Sequence, residues 1–347
     1  MGNDRKAGDT MMVDSDGAIQ VASFSLPLSA ALSAQSRTML TMMREQPFPP
    51  LPPMTGISEA EFAARVAVFR KQVDELARQG AESLLQRYPV NIKAMRIGDV
   101  PVEEFTPPDA VDASRVLINL HGGGFCSNAA HGGRVESIPV AHLGKFRVIA
   151  IDYRQAPEHK FPSATKDVAA VYVELLKSYR PQQIGIYGGS AGGIIASQAI
   201  AWFIRNGTPV PGAIGSLSAG TGGFGDGDYF SAIGSGLFPP VGVIGSLAGA
   251  DVGYFSQTKS DDPMFNPNLA SLEIRAKFPP TILATATRGF DFSPALATHR
   301  ALVQAGVDAH LHVFDGLGHV FYANAATPEA LDLYDTLFSF FRKYLRS

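Results

Sequence analysis

The spacing of apolar residues changes near residue 88. Before that point they recur three or four positions apart, the period of a helix with one buried face. The apolar positions are Phe62, Val66, Phe69, Val73 and Leu76. Ser58 with Glu61 matches the capping box that begins such a helix. A second helix is predicted over residues 30–44, and the proline-rich stretch 47–53 separates the two. The chain up to residue 88 is therefore predicted to be mainly helical, after a loosely docked arm.

Beyond residue 90, short apolar runs alternate with longer helical patterns. Strands are predicted at 92–98, 100–106, 116–120, 148–153, 184–187, 213–217, 281–287 and 310–314. Helices are predicted at about 134–144, 162–179, 191–206, 294–305 and 328–345. The first two strands read as a hairpin, and the later alternation is typical of a mostly parallel sheet covered by helices on both faces. The predicted fold class is α/β.

Composition narrows the class of protein further. The chain has 347 residues, 46% of them hydrophobic and 18% charged, which is typical of a globular protein with one large α/β domain plus an accessory piece, or with two ordinary domains. A net charge of −3 gives no electrostatic reason to expect nucleic acid or an anionic membrane surface as a partner. Cys126 is the single cysteine, so an intrachain disulfide is excluded.

Two further features bear on location. The first 20 residues carry four aspartates and do not resemble a secretory signal, so we expect a cytoplasmic protein. The uncharged runs 181–204 and 229–250 are long enough to raise the question of a membrane span. Glycines interrupt the first and Pro239-Pro240 the second, so buried core and a substrate-lining segment are the favoured interpretations, and no membrane span is predicted.

The residues from Gly188 to Gly192 carry the first chemical motif. Gly188, Ser190 and Gly192 fit the G-x-S-x-G pattern in which a sharp strand-to-helix turn exposes a nucleophilic serine. A glycine-rich packing turn and a phosphate-binding loop are the alternatives. The phosphate loop lacks the Lys followed by Ser or Thr that it requires.

A second glycine motif, His121 to Phe125, follows the predicted strand 116–120. Consecutive glycines at a strand end let backbone amides point at a developing oxyanion. Amides of Gly123 and Gly124, together with that of Ala191 after the serine, would form the oxyanion hole described for lipases and esterases. A simple glycine hinge is the alternative.

With these motifs the chain resembles the hormone-sensitive-lipase-like (bacterial family IV) carboxylesterases of the α/β-hydrolase superfamily. The likeness also includes the segments 153–158 and 316–321, and it runs from about residue 90 to the C-terminus. It implies an α/β-hydrolase fold with a mostly parallel eight-stranded sheet. It also implies a catalytic domain over 89–347 and a helical cap formed by residues 1–88 and an insertion at 218–272.

A serine nucleophile needs a base, and His319 is the candidate because it follows the last predicted strand and fits the chain order serine, acid, histidine. The family's usual position for the acid is occupied by Gly289. Asp291 is therefore the predicted triad acid, with an N-terminal helix cap as its alternative role. Asp315 is a second candidate for the triad acid, but its place at the end of a strand is expected to direct its side chain away from His319.

Several other polar residues are predicted to be structural. His121 is expected to hold the shape of the glycine loop, and Arg154 and Glu158 are expected to fix the loop that follows the fourth strand by pairing. Cys126 is interpreted as a packing group. No histidine or cysteine spacing matches a zinc site, and neither a metal nor another cofactor is predicted.

The function predicted from these residues is that of a serine carboxylesterase acting on small-molecule esters with short to medium acyl chains. Phe125, Gly189 and the uncharged 229–250 segment are expected to line the substrate site. The alternatives are hydrolysis of amides, lactones or carbonates at the same site, or a non-enzymatic binding protein on a hydrolase scaffold. The sequence is compatible with a homodimer but does not specify one.

Overall fold

The computed structural model describes residues 27–45, 56–109, 112–129, 131–221 and 252–346, together with residue 15 and a short hairpin, Met12–Val13 with Ile19–Gln20. The predicted segments 47–53 and 229–250 lie outside the described residues. Within the described residues the main sheet has eight strands: β1 Asn91–Ile97, β2 Val100–Thr106, β3 Asp112–Leu120, β4 Phe146–Ile151, β5 Ile184–Gly189, β6 Ala213–Leu217, β7 Thr281–Ala286 and β8 Ala309–Phe314.

The strands lie in the order β8-β7-β6-β5-β3-β4-β2-β1. Only β2 runs against its neighbours, since it pairs antiparallel with β1 and with β4 while every other pairing in this sheet is parallel. Leu120, the last residue of β3, pairs with Gly188 on β5. This register puts the two glycine motifs side by side at the carboxyl edge of the sheet. The predicted α/β-hydrolase fold is confirmed.

The described helices are α1 Ala34–Glu45, α2 Glu59–Arg87, α3 Gly132–Gly144, α4 Ser163–Leu175, α5 Ala191–Arg205, α6 Leu272–Arg275, α7 Phe292–Gln304 and α8 Pro328–Tyr344. One buried cluster joins apolar residues of α2, α4 and α5 to the sheet, and a second joins those of α3 and α8. The sheet is therefore covered on both faces, as predicted. Prediction placed the start of α1 four residues early and the end of α4 four residues late.

Helix α2 begins with the predicted capping box, in which Ser58 and Glu61 satisfy each other's backbone amides. Phe62 and Val66 are fully buried, but Leu76 is 52% exposed, so the prediction that it belongs to the buried stripe is wrong. The reason is that α2 contacts two different clusters. Its first turns pack into the α4–α5 side of the core, and Ala81 with Leu84 packs into the α3–α8 side, so the middle of the helix faces outward.

Among the helices that the structure describes, none is both long enough and apolar enough to cross a bilayer. The longest, α2, carries charged residues throughout.

Candidate active site

Ser190 lies at the sharp turn between β5 and α5. Its φ of 52° and ψ of −120° are strained for a residue with a side chain. A Cβ at position 188 would lie 2.3 Å from the carbonyl oxygen of Leu120, and one at position 192 would lie 1.7 Å from the same oxygen. Only glycine fits two residues before the serine and two residues after it, because the turn crosses directly over the end of β3. The local sequence thus places the hydroxyl at the tip of the turn, although Ser190 itself is buried.

The triple-glycine loop packs against this turn. A Cβ at Gly122 would lie 3.2 Å from both the carbonyl oxygen of Gly189 and the Cβ of Ser190. Gly123 has a φ of 125°, and its carbonyl oxygen accepts hydrogen bonds from the amides of Cys126 and Ser127. The two hydrogen bonds hold the loop closed around this backbone conformation. A φ of this value favours glycine, so the loop calls for a glycine at position 123.

His319 joins the nucleophile to a carboxylate. Its Nε2 lies 2.9 Å from Ser190 Oγ, and its Nδ1 lies 2.6 Å from Asp291 Oδ1, with all three residues buried. With a carboxylate accepting the Nδ1 hydrogen, Nε2 is left as the acceptor for the serine hydroxyl. The structure therefore brings together the three residues that the sequence picked out as nucleophile, base and acid.

The loop that carries His319 is fixed on two sides. The ring of Phe290 lies 4.1 Å from the imidazole, centroid to centroid. The amide of Val320 donates to Ser218 Oγ at 3.0 Å, at the end of β6. These contacts hold the imidazole between the ends of β5, β6 and β7.

Asp291 stands at the start of α7, but its side chain makes no hydrogen bond to the helix amides. Its second oxygen, Oδ2, accepts a hydrogen bond of 2.5 Å from Thr285 Oγ1 on β7. Within the described residues, its carboxylate thus faces His319 and Thr285 and does not cap α7. Asp315 instead accepts hydrogen bonds from Thr287 Oγ1 and Ser29 Oγ, away from His319.

One polar residue at the site escaped the sequence analysis. Glu136 on α3 accepts the amide of Gly122 at 3.0 Å on Oε1 and the amide of Gly189 at 3.1 Å on Oε2. Asn119 Nδ2 also donates to Oε2 at 3.0 Å. Desolvation raises the pKa of Glu136 to about 7, although these hydrogen bonds act in the opposite direction. The only sequence signal was an acid beside the apolar run Ile138 to Ala141.

His121 has the surroundings of a residue that shapes the loop. Its Nδ1 lies 2.7 Å from the carbonyl oxygen of Gly122, and its ring stacks on Tyr153 at 4.4 Å. Burial lowers the pKa of His121 to about 4, so the ring is neutral at physiological pH. Tyr153 in turn donates to the carbonyl oxygen of His121 at 2.6 Å.

Phe125 and Gly189, the two residues predicted to line the substrate site, both lie among described residues. Phe125 is fully buried, and its ring lies 5.3 Å from that of Tyr254 and 4.8 Å from that of Phe255. The amide of Gly189 is bonded to Glu136. Their contact with substrate stays a prediction. Next to them, burial raises the pKa of the Cys126 thiol to about 12, as expected of a packing group.

The charges of the 153–158 segment fix their loop, but not by pairing with each other. Arg154 pairs with Asp167 on α4, and Glu158 pairs with Arg70 on α2. Arg70 also donates to the carbonyl oxygen of Cys126. The expected pairing fails because the segment lies between two helices that each offer an opposite charge.

Comparison with known proteins identifies the family and supports the fold described above. A family model described as the alpha/beta hydrolase fold matches residues 117–323, which is more than half of the chain, so the chain belongs to this family. A crystal structure of an esterase superposes with a TM-score of 0.81 and 28% identity, covering 94% of this chain and 99% of that one. A crystal structure of an esterase from the bacterial hormone-sensitive lipase family superposes with a TM-score of 0.72 and 25% identity, covering 91% of this chain and all of that one. The predicted membership in that group is confirmed.

Among curated proteins, the versiconal hemiacetal acetate esterase of Emericella nidulans is 33% identical over 113 residues, which cover 32% of this chain and 38% of that protein. This chain matches four such curated relatives over only 35% to 41% of their own length.

Proposed function

We propose that the protein is a serine carboxylesterase that hydrolyses small esters with short to medium acyl chains. One observation carries the proposal: the His319 imidazole contacts Ser190 Oγ through one nitrogen and the Asp291 carboxylate through the other. The relatives support an ester substrate, since the aligned fungal protein is named as an acetate esterase and both solved structures are named as esterases.

In this mechanism Ser190 attacks the ester carbonyl while His319 Nε2 takes the hydroxyl proton. Asp291 keeps the Nδ1 hydrogen in place and stabilises the imidazolium as it forms. The imidazolium then gives its proton to the leaving alkoxide, which leaves an acyl group on Ser190. Water attacks this acyl-enzyme by the same steps in reverse, releasing the acid and restoring the serine.

The negative charge that builds up on the carbonyl oxygen needs donors. We assign that role to the amides of Gly123, Gly124 and Ala191. The contact between Gly122 and the Ser190 turn supports this assignment, because it places the glycine loop beside the nucleophile. The mechanism calls for no metal or other cofactor.

The domain division follows the same proposal. Residues 89–347 form the catalytic domain, and residues 1–88 with 218–272 contribute a cap that limits the length of the acyl chain. The bidentate pair of Arg70 with Glu158, and the bond from Arg70 to the carbonyl oxygen of Cys126, support a link between α2 and the base of the glycine loop. A cytoplasmic location and a homodimer stay predictions.

The test is labelling with a fluorophosphonate followed by peptide mass spectrometry, together with rates on p-nitrophenyl acetate, butyrate and palmitate. The proposal expects one adduct, on Ser190, and the highest kcat/KM on the two shorter esters. A matched acetanilide should react far more slowly. Stoichiometric adduct on another residue, or faster cleavage of the anilide than of the ester, would refute it.

A further inference from the structure

The two glycine motifs of the proposed active site share one carboxylate. Glu136 Oε1 accepts a hydrogen bond from the amide of Gly122, in the triple-glycine loop. Its Oε2 accepts one from the amide of Gly189, the residue directly before the nucleophile. The three residues come from α3, from the loop after β3 and from the end of β5. Both motifs are thus bonded to the same side chain.

The surrounding residues hold this carboxylate in place. Asn119, fully buried on β3, donates to Oε2, and a Cβ at Gly189 would lie 2.7 Å from Oε1. The hydroxyl of Tyr322 also adjoins this space, since the same Cβ would lie 2.1 Å from it. The glycine at position 189 therefore leaves room for the carboxylate to reach both amides.

The chemistry of the site calls for such a link. An oxyanion hole is built from donors on two separate segments, here the glycine loop and the residue after the serine, and its effect depends on their distance from the reacting carbonyl. Both segments are rich in glycine, which restrains the backbone weakly. A hydrogen bond from each segment to one side chain restrains both at once.

We propose that Glu136 is a positioning residue that clamps the triple-glycine loop to the nucleophile turn and so sets the spacing of the oxyanion donors. This inference rests on the proposed esterase function. Glu136 touches neither the substrate nor a reacting atom in this role, and it acts through Gly122 and Gly189. A displacement of about 1 Å in such a site can cost roughly 10²-fold in rate, which sets the scale of the expected effect.

Glu136→Gln is the direct test because it keeps the shape and puts an amide nitrogen where one oxygen was. A carboxamide has one acceptor oxygen, so it cannot accept from both loops, and one backbone amide then faces a donor. On p-nitrophenyl acetate we expect kcat to fall about 10²-fold while KM stays within three-fold. The inhibition constant of a trifluoromethyl ketone, which forms a tetrahedral adduct with serine, should rise by a similar factor.

Two further variants show whether a loss of kcat has a cause other than the clamp. Glu136→Met fills about the same volume and removes both acceptor oxygens, so the folded variant should lose at least as much kcat as the glutamine variant. Glu103→Gln removes a carboxylate on β2 that pairs with Arg134 at 2.5 Å. Arg134 lies on α3, the helix that carries Glu136, but is not part of the clamp. It should leave kcat within two-fold of the parent.

The outcomes separate the two proposals. A folded Glu136→Gln or Glu136→Met protein whose kcat stays within two-fold of the parent overturns the clamp and leaves the esterase intact. A fall in kcat that Glu103→Gln shares equally also overturns it, because the effect then belongs to α3 as a whole. A parent protein that neither hydrolyses the ester nor is labelled at Ser190 refutes the proposed function itself.

Discussion

The carboxylate of Asp291 lies directly over the Cα of Gly289. A Cβ built on Gly289 would come 2.6 Å from Asp291 Oδ1, the oxygen that contacts His319. Real Cβ atoms do not approach an oxygen so closely, so the glycine at the family's usual acid position and the acid two residues later depend on each other. The missing carboxylate at 289 is what leaves space for the one at 291.

Asp291→Asn should lower kcat by roughly 10⁴-fold with little change in KM. An amide nitrogen toward His319 would favour the wrong tautomer, and an amide oxygen would leave the forming imidazolium without its counter-charge. Steady-state kinetics on p-nitrophenyl acetate measures the effect. Asp315→Asn is the control and should stay within two-fold, since Asp315 bonds to Thr287 and Ser29. Equal losses in the two variants would remove Asp291 from the triad.

Gly289→Ala should lower kcat by roughly 10- to 100-fold, because its Cβ would lie 2.6 Å from Asp291 Oδ1 and would push that carboxylate away from His319 Nδ1 by several tenths of an ångström. The same change at Gly80 on α2 is the matched control. A Cβ there meets only Val135, at 3.7 Å, so Gly80→Ala should leave kcat unchanged. Full activity of Gly289→Ala would mean that Asp291 can move without cost.

Thr285→Val keeps the shape of the side chain and removes the hydroxyl that donates to Asp291 Oδ2. A hydrogen bond to a charged group contributes about 1.5–3 kcal/mol. If most of this is felt in the transition state, kcat falls about 10- to 100-fold. Thr285→Ser retains the hydroxyl and should recover most of the rate. An equal loss in the serine variant would point to packing instead.

Ser190→Gly and Ser190→Ala should both abolish turnover, but they should differ in stability. The backbone at position 190 has a φ of 52°, which glycine adopts freely and alanine does not. We expect the glycine variant to be more stable than the alanine variant by about 1 kcal/mol. Urea unfolding of the two proteins, side by side, gives the difference. A more stable alanine variant would contradict the strain at the elbow.

The stability of Glu136→Gln relative to the parent should depend on pH. The pKa of Glu136 is raised from 4.5 to about 7 in the folded protein, so folding favours its neutral form. The parent thus has a stabilising contribution below about pH 4.5 that is lost as pH rises through 7, and the neutral glutamine does not.

The difference in Tm, variant minus parent, should therefore increase between pH 5 and pH 8. The titratable groups facing Glu136 are Tyr153, Tyr187, Tyr322 and Tyr334, whose pKa values are raised above the usual 10, so they stay neutral in this range. Differential scanning calorimetry at matched ionic strength measures the difference. A Tm difference that is flat or falls with pH would show that folding does not raise the pKa of Glu136.

The amino-acid sequence was enough to predict the fold class, the nucleophile turn and the glycine loop. Each depends on short-range rules: period-2 and period-3.6 patterns for the strands and helices, and glycines where a backbone leaves no room for a Cβ. Gly188 and Gly192 could be recognised without a structure, because the turn they permit is local to Ser190.

Which acids reach the site depends on tertiary packing. Asp291 and His319 are 28 residues apart, and Glu136 and Gly189 are 53 apart, so their meeting depends on how the strand ends and α3 are placed in three dimensions. A carboxylate has no backbone signature of its own, and Asp291 could equally have capped α7. The packing of β7 beside β6, and of α3 against the sheet, converts these two acids into neighbours of the nucleophile.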